Sequence, residues 1–190
     1  MWDGTGWSAA ALLTDNSVMD YVPKLARGQD GKVMSLWRAN SGETLVGDEA
    51  NPDTFTYAIW DGAAWSTPAT ALSDLTGVLG VSLTYHGPQA AIVLSRDTDG
   101  DLSTLEDSEL FYTEWNGANW GALTQLTDDE VADSAPQVVY DGAGQVNVVW
   151  LKGEELVHLA GGWAGTPTPL WPEGDMVFAN YRLTTDPDDN

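Results

Sequence analysis

The chain has 190 residues, with 29 acidic against 7 basic side chains, no cysteine, 20 glycines and 10 tryptophans, and a formal charge of −22. Seven scattered cations cannot displace the counterions of a nucleic acid, and the same negative field repels an anionic membrane. Disulfides and thiolate metal sites are excluded, no apolar run approaches the roughly 20 residues that span a bilayer, and 43% hydrophobic residues suffice for a packed core.

Neither a nucleic-acid partner nor membrane insertion is therefore expected. The opening MWDGTGW has neither a basic nor an apolar stretch, so no signal peptide is expected within this segment. The tryptophans reveal a repeat. Trp2 and Trp7 bracket DGTG, Trp60 and Trp65 bracket DGAA, and Trp115 and Trp120 bracket NGAN. Sliding residues 2–37 over 115–150 without a gap keeps Trp2, Gly4, Trp7, Leu13, Thr14, Asp15, Asp20, Pro23, Gly31 and Trp37 identical, among others. The middle copy fits with one residue deleted before Val81, after which Val81 to Ser95 is expected to run in register with Pro23 to Trp37.

In chain order, residues 2–13 read as the end of one strand and the whole of the next. Three units of four strands then follow, lettered a to d: 23–27, 32–37, 56–60 and 65–72; 81–85, 90–95, 110–115 and 120–126; 136–140, 145–150, 154–159 and 163–170. In each unit a and b are apolar or alternating runs joined by a Gly-containing turn, and in the first two units c and d are joined by the DG or NG loop with its flanking tryptophans opposed across the hairpin. No stretch carries sustained helical periodicity. The repeats span about 2–59, 60–114 and 115–170, a partial fourth covers 171–183 with a strand over 175–183, and 184–190 is a polar tail.

Four antiparallel strands per unit in tandem predict an all-β chain of propeller blades, with a β-sandwich as the alternative. The pattern resembles sialidase-like and fucose-lectin-like β-propellers, whose blades carry WDGxxW hairpins followed by a Leu-Thr-Asp turn. The resemblance implies the fold and, more weakly, carbohydrate chemistry. Three blades cannot close a ring, so flanking blades of a longer chain or self-association through open blade edges is expected.

Candidate chemistry gathers where the b–c loops and d–a connections meet. The middle b–c loop, RDTDGDLSTLEDSEL, alternates Asp97, Asp99 and Asp101 and adds Glu106 and Asp107. Calcium takes six to eight oxygens, and such a loop supplies carboxylates while Gly100 lets the chain curl. These five residues are the expected Ca²⁺ ligands. The Gly falls fourth and Ser108 twelfth, so the loop departs from an EF-hand. In the first unit Arg38 is expected to match Arg96, and Glu43 to match Asp101.

A second acidic motif, TDNSVMD and TDDEVAD, matches Asp15 and Asp20 to Asp128 and Asp133, and is expected to hydrogen-bond the backbone of its turn. No nucleophile elbow, HExxH helix or phosphate loop is present, and His86 and His158 read as surface or packing residues. Sialidases, which the fold resembles, hold a substrate carboxylate with an arginine triad, and only Arg27, Arg38, Arg96 and Arg182 could supply one. Trp37, Arg38, Arg96 and Trp150, near that end of the blades, are the candidate ligand contacts. The expectation is thus a non-catalytic, extracellular or cell-surface binding or scaffold segment with a protein or glycan partner at its acidic face. Alternatives are a carbohydrate-active module, either a lectin or a piece of a glycosidase, and a structural assembly module.

Overall fold

The computed structural model describes residues 4–42 and 44–171. The strands are β1 Met19–Arg27, β2 Val33–Asn40, β3 Asp53–Trp60 and β4 Ala69–Leu75; β5 Val78–Tyr85, β6 Ala90–Asp97, β7 Ser108–Trp115 and β8 Thr124–Gln125; β9 Asp133–Tyr140, β10 Val146–Lys152, β11 Glu155–Leu159 and β12 Thr168–Trp171. They form three four-stranded antiparallel meanders, β1-β2-β3-β4, β5-β6-β7-β8 and β9-β10-β11-β12, which are three propeller-type blades. No helix occurs among the described residues. The strand expected at 175–183 and the tail lie outside them, and residues 4–18 add no strand to the three sheets.

Strands a and b of every unit, and strand c of the first two, reach further toward the loop end than their apolar patterns suggest, so Asp53, Asp97 and Asp133 are buried strand residues and not loop residues. Strand d begins later and is shorter. Pro68 cannot donate to a ladder, and Trp65 and Trp120 pair only by single bridges to Trp60 and Trp115.

Those two bridges close the c–d turns. The Asp61 carboxylate accepts the N–H groups of Ala63 and Ala64, and Asn116 does the same for Ala118 and Asn119. Gly62 and Gly117 take φ of 105° and 97°, which side chains rarely adopt. The paired indoles stand 5.8 and 5.7 Å apart between centroids.

Two cores lie between the three sheets. Met34, Leu36 and Phe55 meet Val81, Leu83, Ile92 and Leu94 in the first. Ala91, Val93 and Leu110 meet Val138, Val148 and Trp150 in the second. Strand β6 thus buries alternate residues on opposite faces, which is why it reads as a continuous apolar run. The inner strand β9 also donates sideways: Val138 and Tyr140 N–H groups reach the Ser82 and Thr84 hydroxyls of β5 at 3.1 and 3.3 Å.

The expected alignment of the middle copy needs a correction. The first and third a–b turns hold five residues between paired positions, from Arg27↔Val33 and Tyr140↔Val146, whereas the middle turn holds four, from Tyr85↔Ala90. Strand a matches as expected, but strand b is displaced by one residue. Because side chains alternate, one residue exchanges the two faces. Met34 and Leu36 therefore correspond to Ala91 and Val93, Trp37 to Leu94, Arg38 to Ser95 and Asn40 to Asp97. Arg38 and Arg96 are not equivalent and point to opposite sides of their sheets.

Candidate functional site

The loop end of each blade resolves its buried charge differently. In the first blade Asp53, at the start of β3, is fully buried. Its carboxylate accepts from the Tyr21 hydroxyl at 2.7 Å, Asn40 Nδ2 at 3.0 Å and the Gly47 N–H at 3.0 Å, and Arg38 stands 3.5 Å away. The Arg38 guanidinium also donates to the Leu45 carbonyl and lies over the Tyr21 and Phe55 rings. Burial and the bond to Asp53 raise the Tyr21 pKa. Nothing in the sequence pattern announces Asp53, which lies three residues before the expected start of its strand.

Asp20 and Asp133 serve a tryptophan and not the turn backbone they were expected to bind. Trp37 Nε1 donates to Asp20 at 3.0 Å, and Trp150 Nε1 donates to Asp133 at 2.7 Å. Turn bonding falls instead to Asn16 and Asp129, which accept from Val18 and Val131 N–H. Burial pushes the Asp133 pKa up to about 6, against the opposing pull of the Thr127 hydroxyl and the Trp150 N–H. In the middle blade the same two positions hold Val78 and Leu94, both in the first core.

The middle b–c loop folds back on itself. Asp107 Oδ2 accepts the Thr98 and Asp99 N–H groups and the Thr98 hydroxyl, at 3.2, 2.9 and 3.0 Å. Asp97 Oδ1 accepts the Gly100 N–H at 2.6 Å. Carboxylate oxygens of Asp97, Asp99 and Asp107 all lie within 4.8 Å of one another. Burial, with the neighbouring charges of Asp107, Asp99 and Asp101, raises the Asp97 pKa. For Asp107 burial acts upward too, but the Thr98 hydroxyl and the N–H donors outweigh it and the pKa is lowered. Asp101 turns away to hold Ser103, whose hydroxyl and N–H lower its pKa, and Glu106 is exposed outside the group of three.

The other candidate contacts lie mostly inward. Trp150 is buried in the second core, Arg38 is bound to Asp53, and Arg96 donates to the Thr76 carbonyl and hydroxyl. Trp37 borders an open cleft, a space of about 320 Å³ lined by Asn16, Asp20, Trp37, Asn40, Thr54 and Thr56, among others.

No family model matches the chain, and no curated protein does. Solved structures do. An α-L-arabinanase of Penicillium chrysogenum is matched at TM-score 0.53 and 16% identity over 79% of this chain and 50% of that one. A thermostable family-43 glycoside hydrolase is matched at TM-score 0.51 and 10% identity, over 88% and 64%. A Hadza microbial sialidase is matched at 0.54 and 11%, over 79% and 37%. The chain thus spans from over a third to under two thirds of their lengths. These likenesses show the all-β, propeller-type fold, and they overturn the expectation of a non-catalytic segment, since the matched structures are glycosidases.

Proposed function

We propose that this chain is part of a carbohydrate-active, glycosidase-type β-propeller that engages neutral saccharide units at the loop end of its blades. The observation that carries the reading is the fold shared with an arabinanase and a family-43 glycoside hydrolase. Two features of the chain favour neutral over acidic sugars. Arg38 and Arg96 are committed within their own blades, which leaves no arginine cluster among the described residues for a substrate carboxylate. The net charge of −22 repels anions. Asp20, exposed beside Trp37 in the 320 Å³ cleft, is the carboxylate placed to meet a hydroxyl-rich ligand.

The test is a glycan array followed by hydrolysis assays on arabino-, xylo- and sialyl-oligosaccharides. Binding of a neutral oligosaccharide, weakened tenfold or more by Asp20→Asn, supports the reading. Silence on all neutral glycans, or preference for a sialoside, overturns it. The same reading places the protein outside the cell, where polymeric glycans are met, and fractionation of the producing cells tests that.

A second reading, assembly through open blade faces, rests on one contrast. Leu25 on the outward face of β1 is 69% exposed, whereas its counterpart Val138 in β9, covered by the middle blade, is 4% exposed. Sedimentation of the chain and of Leu25→Glu separates the two readings. Self-association lost in the variant supports assembly, and a monomer at all concentrations removes it.

A further inference from the structure

We infer that Asp97, Asp99 and Asp107 form a calcium site that ties the b–c loop of the middle blade to the end of β6. Proximity of three acids would not suffice, because exposed carboxylates often cluster without an ion. The decisive group is Asp97. It is a strand residue only 2% exposed, and its Oδ2 is buried with no hydrogen-bond partner. Asp107 Oδ1 is likewise buried and unpartnered. A buried carboxylate oxygen without a donor keeps the full desolvation penalty of its charge, so it calls for a cation. Among the described residues no Lys or Arg pairs with any of the three acids.

The blades themselves supply the comparison. The first blade puts Asn40 where the middle blade has Asp97, and there the amide and the Arg38 guanidinium satisfy the nearby carboxylate. The third blade has Gly153 at that position. Only the middle blade buries an acid there, and it lacks the arginine, since Ser95 occupies the position of Arg38 with its own hydroxyl unpartnered.

Three oxygens mutually within 4.8 Å can share a centre about 2.8 Å or less from each, close to the 2.3–2.6 Å of a Ca–O bond. The donor set is all oxygen, with no imidazole or thiolate, which favours a hard cation over zinc or copper. Calcium suits it better than magnesium because Asp97, at the end of β6, and the loop residues Asp99 and Asp107 do not impose the near-ideal octahedron that magnesium demands. Asp101 and Glu106, expected from sequence as ligands, are outside this set.

The experiment is calorimetric titration of the whole chain with CaCl₂ after chelator treatment, together with melting curves in chelator and in millimolar Ca²⁺. One site is expected, with melting temperature raised by Ca²⁺. Asp99→Asn, an exposed change that leaves the fold intact, and Asp107→Asn should each weaken binding tenfold or more. Asp101→Asn and Glu106→Gln should stay within about threefold of the parent. No heat and no melting shift would overturn the site, as would loss on Asp101→Asn or Glu106→Gln equal to that on Asp99→Asn. Equal affinity for Mg²⁺ would overturn the choice of ion. None of these outcomes depends on glycan binding.

Discussion

The indole N–H of Trp150 donates to the Asp133 carboxylate at 2.7 Å in the third blade, and the Trp37–Asp20 pair makes the same bond in the first. The middle blade replaces both partners at once, with Leu94 and Val78. A buried hydrogen-bonded pair and an apolar pair of fitting shape are both tolerable; half of each is not, because the remaining polar group is stranded. The joint replacement is what that asymmetry predicts.

Val78→Asp should therefore cost about 3–5 kcal/mol, the penalty of an uncompensated buried charge, because Leu94 offers no donor. The double variant Val78→Asp/Leu94→Trp should recover part of the loss. Urea denaturation of the three proteins checks this, and a single-variant cost below about 1 kcal/mol would show that position 78 is not sealed from water.

Asp133 gives the pH dependence a definite sign. Its folded pKa, near 6, lies above the usual 3.8, so the folded state binds the proton more tightly than the unfolded chain. The stabilisation is present below about pH 4 and is lost as pH rises to about 6. The loss is about 3 kcal/mol at most for a shift of this size. Stability measured across that range should fall more steeply in the parent than in Asp133→Asn; parallel profiles would refute the assignment.

The Arg38–Asp53 cluster makes a thermodynamic cycle. Arg38→Met removes the cation and leaves Asp53 buried, at a cost of about 3–5 kcal/mol. Adding Asp53→Asn removes the stranded charge, so the double variant should cost less than the sum of the singles by about 0.5–3 kcal/mol. Strict additivity in chemical denaturation would show that the two do not interact.

Gly47 sits where no methyl fits. An added Cβ would stand 2.5 Å from the Asp53 backbone nitrogen and 2.8 Å from the Leu75 carbonyl oxygen, and backbone cannot step aside as a side chain does. Gly47→Ala should cost about 1–3 kcal/mol by overpacking. Gly6→Ala, where the new methyl meets nothing within 4 Å, should change stability by no more than about 0.5 kcal/mol, and thermal melting compares them.

Much of the architecture was legible in the chain itself. The recurring WDGxxW and WNGxxW hairpins and the Gly turns marked twelve strands in three units, because strand periodicity and turn chemistry are local properties. The acidic stretch RDTDGDLSTLEDSEL also pointed to the loop where three carboxylates meet. Strand ends were less legible: Asp53, Asp97 and Asp133 look like loop residues by polarity, yet ladder pairing carries the strands through them. The enzymatic character of the matched folds was not written in any motif here, since glycosidase carboxylates have no fixed sequence spacing.

The sequence by itself determined the all-β repeat, the paired tryptophans at one end and the excess of acids at the other. Tertiary structure alone decided which acids lose their water. A one-residue difference between the first and middle a–b turns exchanges the two faces of β6, and with them the surroundings of Leu94, Ser95, Arg96 and Asp97. Packing between blades then leaves Asp133 with an indole donor on one oxygen, Asp53 with an arginine, and Asp97 with an oxygen that no group among the described residues satisfies. Burial depends on contacts between segments far apart in sequence, so identical-looking aspartates differ in the partner each requires.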